Sequence, residues 1–346
     1  MDGRPVAIFG SNGAGKTNIL EAVSLFSPGR GLRRASAQDM ARKPDALGWT
    51  LSGSILRDGH QREVKMQSRE GAPRQLTLDG KSASQVTLAN LCRVVWLVPS
   101  MDRLWIESAE GRRRFLDRMT MSFFPEHAEA ALAYEKAMRE RNRLLKDQVR
   151  DSHWYIALER QMADQGARIN MARQEALYKL VSAQDTSKAN FPTASLELVH
   201  PDDEMPTTAM DLAQAFSENR MRDMAAGRSL IGPHRTDMIG EYADKEVPAK
   251  DCSTGEQKAL LISLILANVR ALKSQIGFAP IILLDEVTAH LDPNRREALY
   301  DEICTLDTQA WMTGTEKDLF LPLAQRAQFI EVSADNKKSH VEMHKM

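Results

Sequence analysis

The stretch Gly10-Ser11-Asn12-Gly13-Ala14-Gly15-Lys16-Thr17 constrains this chain more than any other, because it satisfies G-x-x-x-x-G-K-[ST] in a setting where that pattern has meaning. The apolar run Pro5-Val6-Ala7-Ile8-Phe9 before it reads as a buried strand. From Lys16 onward, Ile19, Leu20, Val23 and Phe26 recur at helical spacing. A strand, a glycine-rich turn and a helix in that order form a cradle for phosphate. Glycines let backbone N–H groups curl around an anion without a Cβ in the way, and the helix N-terminus adds its positive end. Lys16 can reach the outer phosphates, and Thr17 offers a hydroxyl to Mg2+. The expected nucleotide-binding segment is Gly10, Ser11, Asn12, Gly13, Ala14, Gly15, Lys16, Thr17 and Asn18.

The second half of the chain bears on what happens to the nucleotide. Pro280-Ile281-Ile282-Leu283-Leu284 runs into Asp285 and Glu286, the pattern of a buried central strand that ends in two carboxylates. One carboxylate can hold the water shell of Mg2+ and the next can orient an attacking water, the division of labour that phosphate hydrolysis needs. Upstream, Ser253-Thr254-Gly255-Glu256 is a capping box opening the apolar helix that follows. A capped helix start with free N–H groups is also a phosphate site, and the two roles are compatible. After the acidic pair, Asp292 caps a helix with Pro293 at its first position.

Lys and Arg (46) nearly cancel Asp and Glu (47), so bulk charge does not draw this chain to nucleic acid, and DNA binding requires a local basic patch. Cys92, Cys252 and Cys304 are far apart and lack zinc-site spacing, which suits reduced, buried thiols in a cytoplasmic protein. No basic-then-apolar leader precedes Gly10. The longest apolar stretch, Ala259–Val269, is too short to cross a bilayer, so neither export nor a membrane partner is expected.

From Trp49 to Leu97 short apolar or alternating segments are separated by Gly, Asp and Pro, as in strands joined by turns. From Arg112 to Gln184 the chain is charged and nearly free of glycine. There Leu158, Met162, Ile169, Ala172, Ala176 and Leu180 form the stripe of an antiparallel helical hairpin. A strand at Ser195–His200, a proline-containing loop and a helix around Met210–Ala226 follow, and strand and helix signals then alternate again from Ser229. The expected organisation is 1–100 and 228–346 as two parts of one α/β domain, with a helical insertion at 101–227.

The ordered set of P-loop, STGEQ, LLDE and HLD resembles the ATPase heads of ABC-type proteins in the SMC-like branch. GRRRFLD from Gly111, YEKAMRERNRLLK from Tyr134, GPHRTD from Gly232, CSTGEQKALL and LLDEVTAHLD are similar to the bacterial RecF family of recombination mediators. The resemblance implies a P-loop ABC-type ATPase head with an inserted, mainly helical arm. It also implies a sandwich of two heads around two ATP molecules. Ser253, Gly255 and Glu256 of one copy would then face the nucleotide held by Lys16 of the other. Asp285 and Thr17 would serve Mg2+, Glu286 would position the hydrolytic water, and Asp292 would lie at the dimer seam. It further implies weak, DNA-stimulated ATP hydrolysis and binding of single-stranded and gapped or junction DNA. RecO and RecR would be partners in loading RecA, in DNA repair, replication and the SOS response.

Three departures from that pattern stand out. The family's leading strand has no counterpart ahead of Asp2, so the resemblance implies a chain shortened at its N-terminus. The segment Pro99-Ser100-Met101-Asp102 lacks the glutamine of transporter-type ATPases. Ala310-Trp311-Met312 is followed by Thr313 and Thr315 where a switch histidine is usual, which points to slow turnover. Candidate DNA contacts are Arg30, Arg33 and Arg34; Arg112 to Arg114; and Arg139, Arg141, Arg143 and Lys146, which could equally form a solvated face. A transporter subunit would not need the helical insertion, and a small-molecule kinase would not need the capped signature. Two alternatives remain: a protein that holds ATP without turnover, and an SMC-like or ABC-type ATPase subunit of another assembly.

Overall fold

The computed structural model describes residues 2–27, 29–42, 47–69, 72–184, 191–201, 206–287, 291–335 and 338–344. In chain order the first segment contains β1 (Val6–Phe9), α1 (Lys16–Ser24), β2 (Gly48–Arg57), β3 (His60–Arg69), β4 (Gln75–Leu78), β5 (Lys81–Ser82), α2 (Gln85–Leu91) and β6 (Val94–Leu97). The middle contains α3 (Ala109–Phe123), α4 (His127–Lys146), α5 (His153–Gln184), β7 (Ala194–Val199), α6 (Ala209–Glu218), α7 (Arg220–Ala226), β8 (Asp237–Tyr242) and β9 (Val247–Pro248). The last part contains α8 (Thr254–Ile276), β10 (Ile281–Leu284), α9 (Pro293–Thr305), β11 (Ala310–Gly314), β12 (Gln328–Asp335) and β13 (Lys338–His344).

The chain divides into two compact units, one built mainly from Met1–Met101 and Val269–Met346, the other from Asp102–Ser187 and Pro192–Asn268. In the first unit six strands lie in the order β13-β12-β1-β11-β10-β6, all parallel except β13, which runs antiparallel to β12. The apolar runs VAIF, VVWL and IILL are buried almost throughout, as strands covered on both faces must be. Val6, Ile8, Leu20, Val94, Trp96, Leu283 and Ile330 share one core, each such side chain contributing about 1.5–3 kcal/mol by burial. The antiparallel sheet β2-β3-β4-β5 packs Val64, Met66 and Leu76 against Leu25 and Leu88.

The second unit is led by the α4–α5 hairpin. Tyr134 meets Gly166 and Arg141 meets Glu159, an antiparallel pairing that brings Met162 and Ile169 of the expected stripe into a core with Ala130, Ala137 and Phe216. The helix expected over Met210–Ala226 is instead two helices that meet at Asn219 (φ −82°, ψ 0°), whose side chain bonds Asp223. The antiparallel strands β7-β8-β9 complete this unit.

Two expectations need correction. α8 extends beyond Ala259–Val269 at both ends, and by length and composition it could cross a membrane, yet two thirds (67%) of its most apolar window is buried inside the fold. It is a core helix, whose apolarity serves packing. Of the three free thiols only Cys92 is buried, its pKa pushed up to about 12 by burial; Cys252 and Cys304 are half-buried. The later compact boundary falls within α8, whereas the motifs assign 228–346 to the ATPase head.

Candidate nucleotide-binding site

The P-loop leaves β1 at the carboxyl edge of the parallel sheet, where ligands of open α/β sheets gather. β12 passes so close that a Cβ on Gly10 (φ +146°) would lie 2.0 Å from the Val332 carbonyl oxygen, which limits this position to glycine. Gly15 begins α1 in the left-handed region with no side-chain cap, so the first N–H groups of the helix are left for an anion. Lys16, 4% exposed, bends over its own loop and donates from Nζ to the Gly10 (2.7 Å) and Ser11 (3.0 Å) carbonyls. An ammonium has three donors, so one remains for a phosphate oxygen. Ser11, Asn12 and Gly13 are exposed along the loop, and Asn18 accepts from Arg33 at 2.9 Å.

β11 lies between β1 and β10, and this order gathers the polar chemistry. Thr17 Oγ1 donates to Asp285 Oδ1 at 3.2 Å, and the buried Thr313 Oγ1 donates to the same oxygen at 2.8 Å. Thr313 Oγ1 also accepts from the Glu286 N–H at 2.9 Å. Glu286 has φ +52°, a backbone conformation that is uncommon and costly for a residue with a side chain, and the Thr313 bond helps hold it there. The Thr17 hydroxyl and Asp285 carboxylate are oxygen donors of the type Mg2+ selects, and an ion that retains several waters needs few protein ligands. The chemistry of this donor pair fits Mg2+.

The capping box forms in the second unit. Glu256 accepts from the Ser253 N–H (2.8 Å) and Ser253 Oγ (2.7 Å), and Ser253 Oγ accepts from the Glu256 N–H. Hydrogen bonds from Lys245 and from Ser253 hold the Glu256 carboxyl down at about 2. Gly255 has open space where a Cβ would stand. Asp292 accepts from the Arg295 N–H at 3.0 Å and so caps α9, while His290 of the HLD triplet lies outside the described residues.

A family model described as the RecF/RecN/SMC N terminal domain matches residues 1–340. The DNA replication and repair protein RecF of Allorhizobium ampelinum is 45% identical over 345 residues, covering 96% of this chain and 92% of that protein. The RecF of Rhizobium meliloti is 43% identical over 346 residues with the same coverage. This chain belongs to the RecF family. Its fold matches a solved structure of the recombination mediator protein RecF with ATP at a TM-score of 0.82 and 20% identity, over all (100%) of this chain and 92% of that one. An Smc head domain from Pyrococcus furiosus matches at 0.52 and 18%, over 99% and 90%. The architecture is that of an ABC-type ATPase.

The RecF-like segments outside the P-loop acquire physical reasons. In GPHRTD, a Cβ on Gly232 (φ +127°) would strike Tyr134 Oη at 2.3 Å. Tyr134 Oη bonds His234 Nδ1 at 2.8 Å, and His234 Nε2 bonds the Ser229 carbonyl at 3.1 Å. A carbonyl only accepts, so Nε2 carries the proton and Nδ1 accepts from the tyrosine. Burial pulls the His234 pKa down to about 4, keeping the ring neutral. His234 therefore ties the loop to α4.

The candidate DNA-contacting arginines separate into different groups. Arg141 is fully buried and ion-paired with Asp223 (2.6 Å) and Glu159 (3.1 Å), so its candidacy as a DNA contact is withdrawn: it holds α4, α5 and α7 together. Arg112 is engaged by Asp237 and Arg114 by Glu110. Arg30, Arg33, Arg34, Arg139, Arg143 and Lys146 are exposed. The sequence signal missed here was the role of Thr313, visible only as a departure from a histidine pattern.

Proposed function

We propose that this chain is an ATP-dependent DNA-binding protein of replication and recombinational repair, in which two copies close around ATP on DNA. The supporting observation is the convergence of Thr17, Asp285, Thr313 and Glu286 at the sheet edge beside the P-loop. In this proposal Lys16 and the loop N–H groups from Gly10 to Asn18 hold the phosphates. Thr17 and Asp285 hold Mg2+, which when bound supplies charge neutralisation to the phosphate oxygens. Glu286 orients the attacking water, and its backbone is fixed through Thr313. The capped helix start at Ser253, Gly255 and Glu256 presents N–H groups to the triphosphate held by the second copy, with Asp292 at the seam. On this assignment 1–100 and 228–346 form the head, and 101–227 the arm.

The sandwich makes turnover depend on protein concentration and on DNA. Its biological setting, carried over from the family, is binding at single-strand/double-strand junctions with RecR and RecO to load RecA at gaps. The test is the ATPase rate against protein concentration, with and without gapped DNA. Lys16→Met and Ser253→Arg should each abolish turnover, and their mixture should restore part of it, because one composite site then keeps both a working lysine and a working signature. A rate per molecule that is independent of concentration, with no recovery on mixing, refutes the sandwich.

A further inference from the structure

Two arginines of the second unit stand on segments that are fastened together by bonds that neither of them makes. On α3, Arg112 grips Asp237 through Nε (3.0 Å) and Nη2 (2.7 Å). One turn further along α3, Asp117 accepts from Arg173 at 2.8 and 3.0 Å, and Arg173 also donates to the Pro233 carbonyl at 2.7 Å. Positions 112 and 117 of the helix are thus fastened to 237 and 233 of the GPHRTD segment. Arg113 lies inside the first pair and Arg235 inside the second.

Neither has a hydrogen-bond or ion-pair partner on its guanidinium among the described residues, and Arg235 Nε is buried without an acceptor. The carboxylates that could neutralise them are committed: Asp237 to Arg112, and Asp117 to Arg173 and His127. Burial lowers the Arg113 pKa, Asp237 offsets part of this, and the like charges of Arg173 and Arg235 lower it further. The neighbouring His234 is neutral. A buried guanidinium N–H without an acceptor, as at Arg235 Nε, carries a desolvation cost, and like-charged neighbours add to it. An anion with several acceptor oxygens removes both costs, and the guanidinium fork matches a phosphate in geometry.

The geometry points to Arg113 and Arg235 as a paired subsite for one backbone phosphate of bound nucleic acid. The inference rests on the proposed DNA binding and assigns it a place; an acidic protein segment is the competing occupant. A guanidinium fork matches the oxygens of a phosphate, so the contact reads the backbone and not the base.

The test uses the full chain with ATP and a fluorescent gapped duplex, titrated by anisotropy across about 50 to 200 mM salt. The double variant Arg113→Gln/Arg235→Gln should bind about tenfold or more weakly. The slope of log affinity against log salt should shrink by about 1, one phosphate contact. Arg114→Gln, which disturbs only the pair with Glu110, should keep the wild-type slope. A wild-type circular dichroism spectrum and melting transition show that each variant is folded; if the double variant fails that check, the single Arg113→Gln and Arg235→Gln variants take its place and should each show a reduced slope. Wild-type affinity and slope in a folded variant overturn the subsite, as does unchanged DNA binding with loss of binding to an acidic peptide. If wild type itself shows no salt-dependent DNA binding, the parent proposal fails first.

Discussion

Thr313 is the most informative residue to change, because one hydroxyl there serves both acidic residues. It donates to Asp285 Oδ1 at 2.8 Å, accepts from the Glu286 N–H at 2.9 Å, and has no solvent exposure (0%). Thr313→Val keeps the shape and removes both bonds. Asp285 Oδ1 then retains the longer contact from Thr17, and the Glu286 N–H loses its partner in a half-buried position. A hydrogen bond to a charged group contributes about 1.5–3 kcal/mol, and stranding a buried N–H costs about 1–3 kcal/mol, so the expected destabilisation is roughly 3–5 kcal/mol. For a unit of this size that lowers the melting temperature on the order of 10 °C. Without its tether, Glu286 at φ +52° relaxes and its carboxylate moves; a displacement of about 1 Å at a reacting group costs on the order of a hundredfold in rate. Nucleotide affinity, set by the loop N–H groups and Lys16, should stay near wild type. Thr313→Ser should restore both melting and turnover. Calorimetry, steady-state phosphate release and titration with a fluorescent nucleotide measure the three quantities. Wild-type melting and turnover in Thr313→Val would show that Thr313 does not hold the acidic pair.

Three further outcomes are expected. Gly10→Ala places a methyl 2.0 Å from the Val332 carbonyl, so the loop must shift and nucleotide affinity should fall by more than about tenfold, read by the same titration. Arg141→Met leaves the buried Asp223 without its cation, while Glu159 keeps its pair with Arg220, and should cost about 3–5 kcal/mol in urea unfolding while nucleotide binding persists. His234 has its pKa lowered in the folded state to about 4, below an ordinary histidine, so between those values the unfolded chain binds the proton more readily. Its contribution is therefore present above about pH 6.5 and is lost as pH falls toward 4, at about 1.4 kcal/mol per pH unit, which should appear as a steeper acid loss of stability in wild type than in His234→Gln.

What could be read from the sequence and what could not divides along sequence separation. The β1–P-loop–α1 unit, the strand ending in Asp285, the capping box at Ser253 and the cap at Asp292 are each written within about ten neighbouring residues, where apolar runs, glycines and capping side chains act locally. The α4–α5 hairpin was legible for the same reason, from a stripe on one helix. Arg141 was not, because it sits in a run of charges that reads as a solvated face. Its burial depends on Glu159 and Asp223, 18 and 82 residues away. Thr313 was hidden in the same way: only the strand order, with β11 between β1 and β10, sets its hydroxyl between Asp285 and the Glu286 N–H. Arg112, Arg113 and Arg114 make the point most sharply, being three adjacent residues of one type that the helix turns toward three different environments. One meets a carboxylate 125 residues on, one meets a carboxylate four residues back, and the third has no ion-pair partner among the described residues and feels Asp237 on one hand and Arg173 and Arg235 on the other. Local chemistry fixes which groups a segment offers, whereas topology decides which of them are already spent, and only the unspent ones remain for a ligand.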